Sequence, residues 1–138
     1  MLKELYVSGK YKEMDLNCSE TVVTVANDAY GIGLSSEAMR MSSAFGGGMC
    51  IEDKCGAVTG ALMVIGCLFV SECAHKSESM KPVVHSFLTN YEIKMKSLDC
   101  KPLKEMYRTD EYGCRKVMEA ALETLEEVVN EYGEYRVR

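Results

Sequence analysis

The longest apolar run of the chain, residues 57–70, limits its fold more than any other feature. Thr59 is the only polar side chain in this run. The run is shorter than the roughly 20 residues that an apolar helix needs to span a bilayer. It is apolar on nearly every side, which is typical of a helix surrounded by other elements. It therefore predicts a central, buried helix and no direct insertion into a membrane.

Composition favours an all-helical fold. The 138 residues include 2 prolines and no tryptophan, whereas good helix formers such as Ala, Met, Leu, Glu and Lys are abundant. A chain of this length buries about two thirds of its unfolded surface on folding, so it needs neither disulfides nor metal to fold. We predict an all-α single domain over residues 1–138, a bundle of five to six helices with the apolar helix at its centre.

The helix boundaries follow from capping and breaking residues. Asn17 and Glu20 match a capping box, which predicts a helix from Cys18 up to Gly31 and Gly33. We predict further helices at residues 2–14, interrupted at Gly9, and at residues 35–45, 53–70, 82–95, 102–107 and 110–132. The last of these has the most regular apolar face.

Two glycines of the central helix indicate how it packs. Gly56 and Gly60 are four residues apart and share one helix face. Each glycine costs about 1 kcal/mol in a helix interior compared with alanine. We therefore expect a second helix backbone to approach this face closely.

Charge and the N-terminal sequence limit partners and location. The chain has 16 basic and 21 acidic side chains and a formal charge of -5, so nucleic acid and anionic membrane surfaces are unexpected partners. The first 14 residues are interrupted by charged side chains and lack the apolar segment of a secretory signal. We therefore expect a cytoplasmic protein. The apolar helix faces also suggest a homodimer.

The chain contains 7 cysteines, an odd number, which argues against a disulfide framework in a reducing compartment. Metal binding, redox chemistry and simple packing remain open. Four cysteines fall at predicted helix starts, where free backbone N–H groups and the helix dipole favour thiolate over thiol. These four, which we expect to point toward one interior region, are Cys18, Cys55, Cys100 and Cys114.

These residues resemble a known family over nearly the whole chain, from about Leu16 to Val129. The resemblance lies in Cys18, in Phe45-Gly46-Gly47-Gly48, in Cys55-Gly56-Ala57-Val58-Thr59-Gly60 with its apolar helix, and in Cys100 and Cys114. The sequence is similar to the redox-active proteins named for the pattern C_GCAxxG_C_C. By this resemblance, the family's four cysteines correspond to the same four that lie at predicted helix starts.

The resemblance implies that these cysteines take part in redox chemistry. Split-Soret cytochromes carry a similar domain, in which such cysteines are thought to hold an iron–sulfur centre, so an iron–sulfur cluster is the expected cofactor. Family members tend to be encoded near transporter genes, which implies a link to a membrane transporter. A redox partner protein is expected, but neither the resemblance nor the residues identify it or a substrate.

Three alternatives remain at this point. Zinc is less expected, because structural zinc sites usually use close cysteine pairs and the four cysteines here are far apart in sequence. A dithiol that cycles through a disulfide needs only two of the four cysteines to meet. The third alternative is a helical interaction or regulatory module whose cysteines only pack.

The glycines around the motif are a second candidate feature. We predict that Gly46, Gly47, Gly48 and Gly56 help to bind the cofactor, with backbone N–H groups of the triple glycine turned toward a cluster or another anion. The alternative is a helix stop and tight turn. No Gly-Lys-Ser/Thr sequence follows, so nucleotide binding is unsupported.

The remaining cysteines and one histidine have weaker assignments. Cys67 lies inside the apolar run and is expected to be packing, and Cys73 begins a polar connection where it can be exposed. Cys50 could assist or replace a ligand. His75 lies in the same polar connection as Cys73 and is expected to be exposed to solvent.

Overall fold

The computed structural model describes residues 1–138 and contains seven α-helices and no β-strand. The prediction of an all-α fold is confirmed, and each of the seven helices corresponds to one of the predicted segments. The helices are α1 (Leu2–Val7), α2 (Cys18–Tyr30), α3 (Ser36–Arg40), α4 (Gly56–Phe69), α5 (Met80–Met95), α6 (Cys100–Tyr107) and α7 (Arg115–Glu131). Short 3-10 turns extend several of the connections.

Helix α4 lies at the centre of the fold, as its apolar sequence predicts. It contacts α2, α5 and α7, and Ala57, Ala61, Ile65 and Leu68 are fully buried along it. One continuous apolar core joins these helices. Burial of such side chains is the main force that holds the bundle together.

The two glycines of α4 let α2 pack directly against it, as expected. A Cβ atom added at Gly60 would lie 2.9 Å from the backbone oxygen of Ser19. A Cβ atom added at Gly56 would lie 3.0 Å from the backbone oxygen of Phe45 and 3.2 Å from Cβ of Cys18. This close approach places the start of α4 beside the start of α2.

The capping residues act as the sequence predicts. The Asn17 side chain accepts a hydrogen bond from the backbone N–H of Glu20, and the Glu20 carboxylate accepts one from the backbone N–H of Asn17. Gly31 ends α2 with a φ of 61°. The reciprocal cap fixes the first turn of α2, which contains Cys18.

Several predicted helix boundaries are wrong. The last helix begins at Arg115 instead of residue 110, because Thr109 and Gly113 exchange backbone hydrogen bonds and close a turn before it. Helix α4 begins at Gly56, three residues later than predicted, and α5 begins at Met80, two residues earlier. The segment predicted as one helix at 35–45 forms α3 and a separate 3-10 turn.

No helix of the chain is both long enough and apolar enough to cross a membrane.

Candidate functional site

Four cysteines occupy the starts of four different helices, which confirms the predicted placement. Cys18 and Cys100 are the first residues of α2 and α6, and Cys55 and Cys114 are the N-cap residues of α4 and α7. Each thiol therefore lies at the positive end of a helix dipole.

The thiols of these cysteines lie close enough to influence one another. A hydrogen bond with the Cys114 side chain, followed by burial, raises the pKa of Cys18, and the charges of Cys55 and Cys100 raise it further. The pKa of Cys55 is likewise raised by burial and then by Cys100 and Cys114. We call these four residues the cysteine cluster.

The backbone joins the starts of α4 and α6 directly. The Cys55 N–H donates to the Leu98 carbonyl over 2.8 Å, and the Cys100 N–H donates to the Asp53 carbonyl over 2.6 Å. Lys54 and Asp99 face each other in an isolated antiparallel bridge. This short pairing sets Cys55 opposite Leu98 and Cys100 opposite Asp53, and so holds the starts of α4 and α6 together although 44 residues of sequence separate the two cysteines.

Three of the four glycines predicted to bind a cofactor pack against the cysteine cluster or against Asn17, the N-cap residue of α2. A Cβ atom at Gly48 would lie 2.6 Å from Cβ of Cys100, and Gly56 approaches Cys18 closely. A Cβ atom at Gly46 would lie 2.2 Å from the side chain of Asn17. Gly47 has a φ of 66° and no such neighbour. Hydrogen bonds from these glycines to a bound group stay a prediction.

The loop that follows the triple glycine has an unusual backbone. Gly47, Gly48, Met49, Cys50 and Glu52 all have positive φ values, a conformation that costs energy for residues other than glycine. The loop contacts α6, whose first residue is Cys100. Such strained segments are concentrated at functional sites.

The other candidate residues are not part of the cysteine cluster, and none of them lies at the start of an α-helix. Cys50 is exposed on the strained loop, and its Sγ lies 3.8 Å from the Ala44 carbonyl oxygen. Cys67 lies in the last turns of α4 and is half-buried, whereas Cys73 and His75 are exposed. The expected exposure of Cys73 and His75 is confirmed.

Cys114 is electrostatically different from the other three cysteines. The Cys18 hydrogen bond, followed by the Arg108 guanidinium and the Lys104 charge, lowers the pKa of Cys114 to about 6 despite its partial burial. Nη1 of Arg108 donates to Sγ of Cys114 over 3.6 Å. The environment of Cys114 therefore favours its thiolate form, and that of Cys18 favours its protonated form.

The two remaining thiols favour the protonated form. Burial raises the pKa of Cys100, although the Lys104 charge acts in the opposite direction. Cys55 is 3% exposed, and burial is the largest cause of its raised pKa. Without a bound cation, three of the four cysteines are therefore neutral thiols at pH 7.

A single metal ion does not fit this arrangement. No three His, Cys, Asp or Glu side chains lie in positions that could hold one metal ion. A tetrahedral zinc site, with Zn–S bonds of about 2.3 Å, requires its sulfur atoms to be about 3.8 Å apart. A cluster of several irons and sulfides is larger than one ion and holds its thiolates farther apart, and four soft cysteine ligands suit it chemically.

The sequence did not indicate three residues around the cysteine cluster. Arg108 is the C-cap residue of α6, next to the turn between Thr109 and Gly113 that the predicted helix boundary did not include. Lys104 lies on α6, and nothing in its spacing distinguishes it from other surface lysines. Tyr91 lies on α5, and its interaction with Cys55 crosses between two helices, which no local sequence pattern reveals.

Fold and site together define an all-helical protein with four cysteines gathered from four helix starts. The family model described as "Putative redox-active protein (C_GCAxxG_C_C)" matches residues 16–128. This match covers most of the chain and all four cysteines, so the chain belongs to this redox-active protein family. No curated protein and no solved structure gives a significant match to the chain.

Proposed function

We propose that the chain is a redox protein whose cysteine cluster binds an iron–sulfur cluster for electron transfer or redox sensing. The ligands are Cys18, Cys55, Cys100 and Cys114. The observation that supports this most is that four thiols from four helices influence one another in one region. A dithiol would use only two of them, whereas a bound cluster uses all four.

The surroundings of the cysteines suit four negatively charged ligands. Four helix N-termini, Arg108 and Lys104 supply positive charge to offset the thiolates. Cys55 and Cys100 are buried, which limits the access of water to that side of the site. When bound, an iron–sulfur cluster would take up and release electrons at a potential set by such charges and hydrogen bonds.

The direct test is reconstitution of the purified protein with iron and sulfide under anaerobic conditions. We expect absorbance between about 320 and 450 nm with matching amounts of iron and sulfide. Replacing any one of the four cysteines by serine should reduce the bound iron strongly. Cys67→Ser and Cys73→Ser are the matched controls and should retain it.

Two outcomes would contradict the proposal. One is a wild-type protein that stays colourless after anaerobic reconstitution. The other is a Cys55→Ser or Cys100→Ser variant that binds as much iron as the Cys73→Ser control. In either case the four residues do not form one ligand set.

The Cys18–Cys114 contact supports a second candidate function, thiol–disulfide exchange without metal. The Cys114 thiolate would attack a disulfide oxidant and form a mixed disulfide, releasing one thiolate. Cys18 would then lose its proton and attack Cys114 Sγ, so that a Cys18–Cys114 disulfide forms and the second thiolate leaves. The chain loses two electrons, and the oxidant gains them.

The two candidates differ in the residues that they require. In exchange with a small disulfide, Cys18→Ser and Cys114→Ser should abolish the reversible loss of two free thiols. Cys55→Ser and Cys100→Ser should leave it intact. Colourless protein whose thiols stay inert in both experiments would instead indicate an interaction module with packing cysteines.

A further inference from the structure

One buried hydroxyl beside the cysteine cluster has no hydrogen-bond partner. Of the buried side-chain nitrogen and oxygen atoms, only the hydroxyls of Tyr30 and Tyr91 lack a partner. Tyr91 is 0% exposed, so its hydroxyl is shielded from bulk solvent. An unpaired buried hydroxyl destabilises a fold, and phenylalanine would fill the same space without that cost. The hydroxyl therefore requires an explanation.

Tyr91 lies on α5, which packs against α4, and Tyr91 and Cys55 belong to the same buried core. Burial is the largest cause of the raised pKa of Tyr91, followed by the charge of Cys55, by contact with the Cys55 side chain and by the charge of Cys18. The hydroxyl and the Cys55 thiol thus influence each other, but no hydrogen bond joins them in the structure. A neutral thiol is a weak acceptor, whereas a thiolate is a strong one.

The ring of Tyr91 is held in position by its neighbours. It stacks on Phe87, with the ring centroids 5.9 Å apart and the planes 20° from parallel. Phe87 is itself fully buried on the same face of α5. Because the ring cannot move far, rotation of the O–H bond is the main freedom left to the hydroxyl.

We infer that Tyr91 is a positioning residue of the redox centre, whose hydroxyl donates a hydrogen bond to the Cys55 sulfur when that sulfur is a negatively charged ligand. This inference rests on the proposed iron–sulfur function. Hydrogen bonds to ligand sulfurs stabilise the more negative, reduced state of a cluster and raise its reduction potential. Tyr91 would therefore tune the potential without touching the metal.

The first test is the reduction potential of reconstituted Tyr91→Phe protein. We expect the variant to retain its cluster and to have a more negative potential than the wild type. Tyr30→Phe is the matched control, because it removes the other unpaired hydroxyl, whose environment includes Glu126 and Arg136 but no cysteine. An unchanged potential in Tyr91→Phe, or an equal shift in Tyr30→Phe, would overturn the inference.

A second test needs no cluster and separates the inference from the proposed function. In metal-free protein the infrared S–H stretching band of Cys55, assigned with Cys55→Ser, disappears as the thiol ionises. Tyr91→Phe should lower the acid dissociation constant of Cys55 about tenfold, since the thiolate loses one hydrogen bond to a charged group. Tyr30→Phe should not change it. An unchanged acid dissociation constant of Cys55 in Tyr91→Phe would contradict the inference, whether or not the wild type binds iron.

A third measurement covers the case in which Tyr91→Phe fails to fold. Replacing all tyrosines by 3-fluorotyrosine makes the hydroxyls more acidic and hence better hydrogen-bond donors. The Cys55 acid dissociation constant should then rise, opposite to the effect of removing the hydroxyl. A fall, or no change, would contradict a donor role for Tyr91.

Discussion

At the scale of single residues, Cys114 is the only one of the four cysteines whose environment favours the thiolate. The neighbouring Cys18 side chain is the largest cause of its lowered pKa, and Arg108 donates a hydrogen bond to its sulfur over 3.6 Å. Its chain neighbours Gly113 and Arg115 line a groove of about 440 Å³, together with Tyr107, Thr109, Tyr112, Lys116 and Glu119, whereas Cys114 itself does not line it. Cys114 is half-buried, and its lowered pKa favours the thiolate, which is the reactive form of a partly exposed cysteine.

We predict that Cys114 reacts first when metal-free protein is alkylated. Its pKa of about 6 lies below that of an ordinary thiol, so the thiolate persists above about pH 6 and is lost as the pH falls through that value. The alkylation rate at Cys114 should therefore fall to half its plateau near pH 6. Peptide mass spectrometry at a series of pH values measures this rate.

Arg108→Gln removes one donor and one positive charge from Cys114. The half-point of its alkylation should then move to higher pH, whereas Arg40→Gln, on the distant helix α3, should leave it unchanged. An identical pH profile in wild type and Arg108→Gln would show that Arg108 does not stabilise the thiolate.

At the scale of helices, the close contact between α2 and α4 depends on a missing side chain. Gly60 and Gly66 lie in the same helix, but an added Cβ at Gly60 would meet the Ser19 carbonyl oxygen at 2.9 Å, whereas one at Gly66 would meet nothing within 4 Å. Alanine substitutions at these two positions therefore separate the effect of helix propensity on stability from the effect of packing between α2 and α4.

We predict opposite effects of alanine at these two glycines. Gly66→Ala should stabilise the protein by about 1 kcal/mol, the gain in helix propensity. Gly60→Ala has the same gain but forces α2 away from α4, and such overpacking costs about 1–3 kcal/mol. It should therefore destabilise the protein by up to about 2 kcal/mol. Urea unfolding measures both, and a stabilised Gly60→Ala variant would show that the helices can separate at little cost.

The same helices show how much of this molecule can be predicted from its sequence. The Asn17 cap and the glycine spacing of α4 are local patterns with a direct physical meaning, so they predicted helix starts and close packing correctly. The late start of α7 depends on a turn between Thr109 and Gly113, which helix periodicity does not reveal. The positive φ values of Met49 and Cys50 have no sequence signature.

Contacts between distant residues were the least predictable. The predicted helix starts identified the four cysteines. The proximity of Cys18 to Cys114, however, spans most of the chain and depends on how α2 and α7 pack. The roles of Arg108 and Tyr91 depend on the same packing. Local patterns thus predicted the positions of the thiols along the chain, and tertiary structure determines which of them touch.

At the scale of the whole molecule, the cysteine cluster connects helices from every part of the sequence. A group bound by all four thiols would bind the folded chain and not the unfolded one, which stabilises the fold. The predicted homodimer would have to use other surfaces, because the apolar faces of α2, α4, α5 and α7 are buried in the core. The dimer and the link to a transporter stay predictions.

We predict that removal of iron by a chelator lowers the melting temperature of reconstituted protein. For a domain of this size, each 1 kcal/mol of lost stabilisation lowers it by about 4 °C. Circular dichroism of loaded and stripped protein, kept anaerobic, measures the change. Cys55→Ser protein serves as the control and should melt at the same temperature with and without chelator, and a loaded wild type that melts no higher than the stripped one would contradict the prediction.

The wide separation of the four cysteines along the chain has a consequence for biosynthesis. Proteins whose metal-binding cysteines lie in one short segment can capture a metal while the chain is still leaving the ribosome. Here Cys18 meets Cys114 only after the helices between them are made and packed. A cofactor held by all four would have to be delivered to a finished fold, and the donor would have to reach thiols of which two, Cys55 and Cys100, are buried.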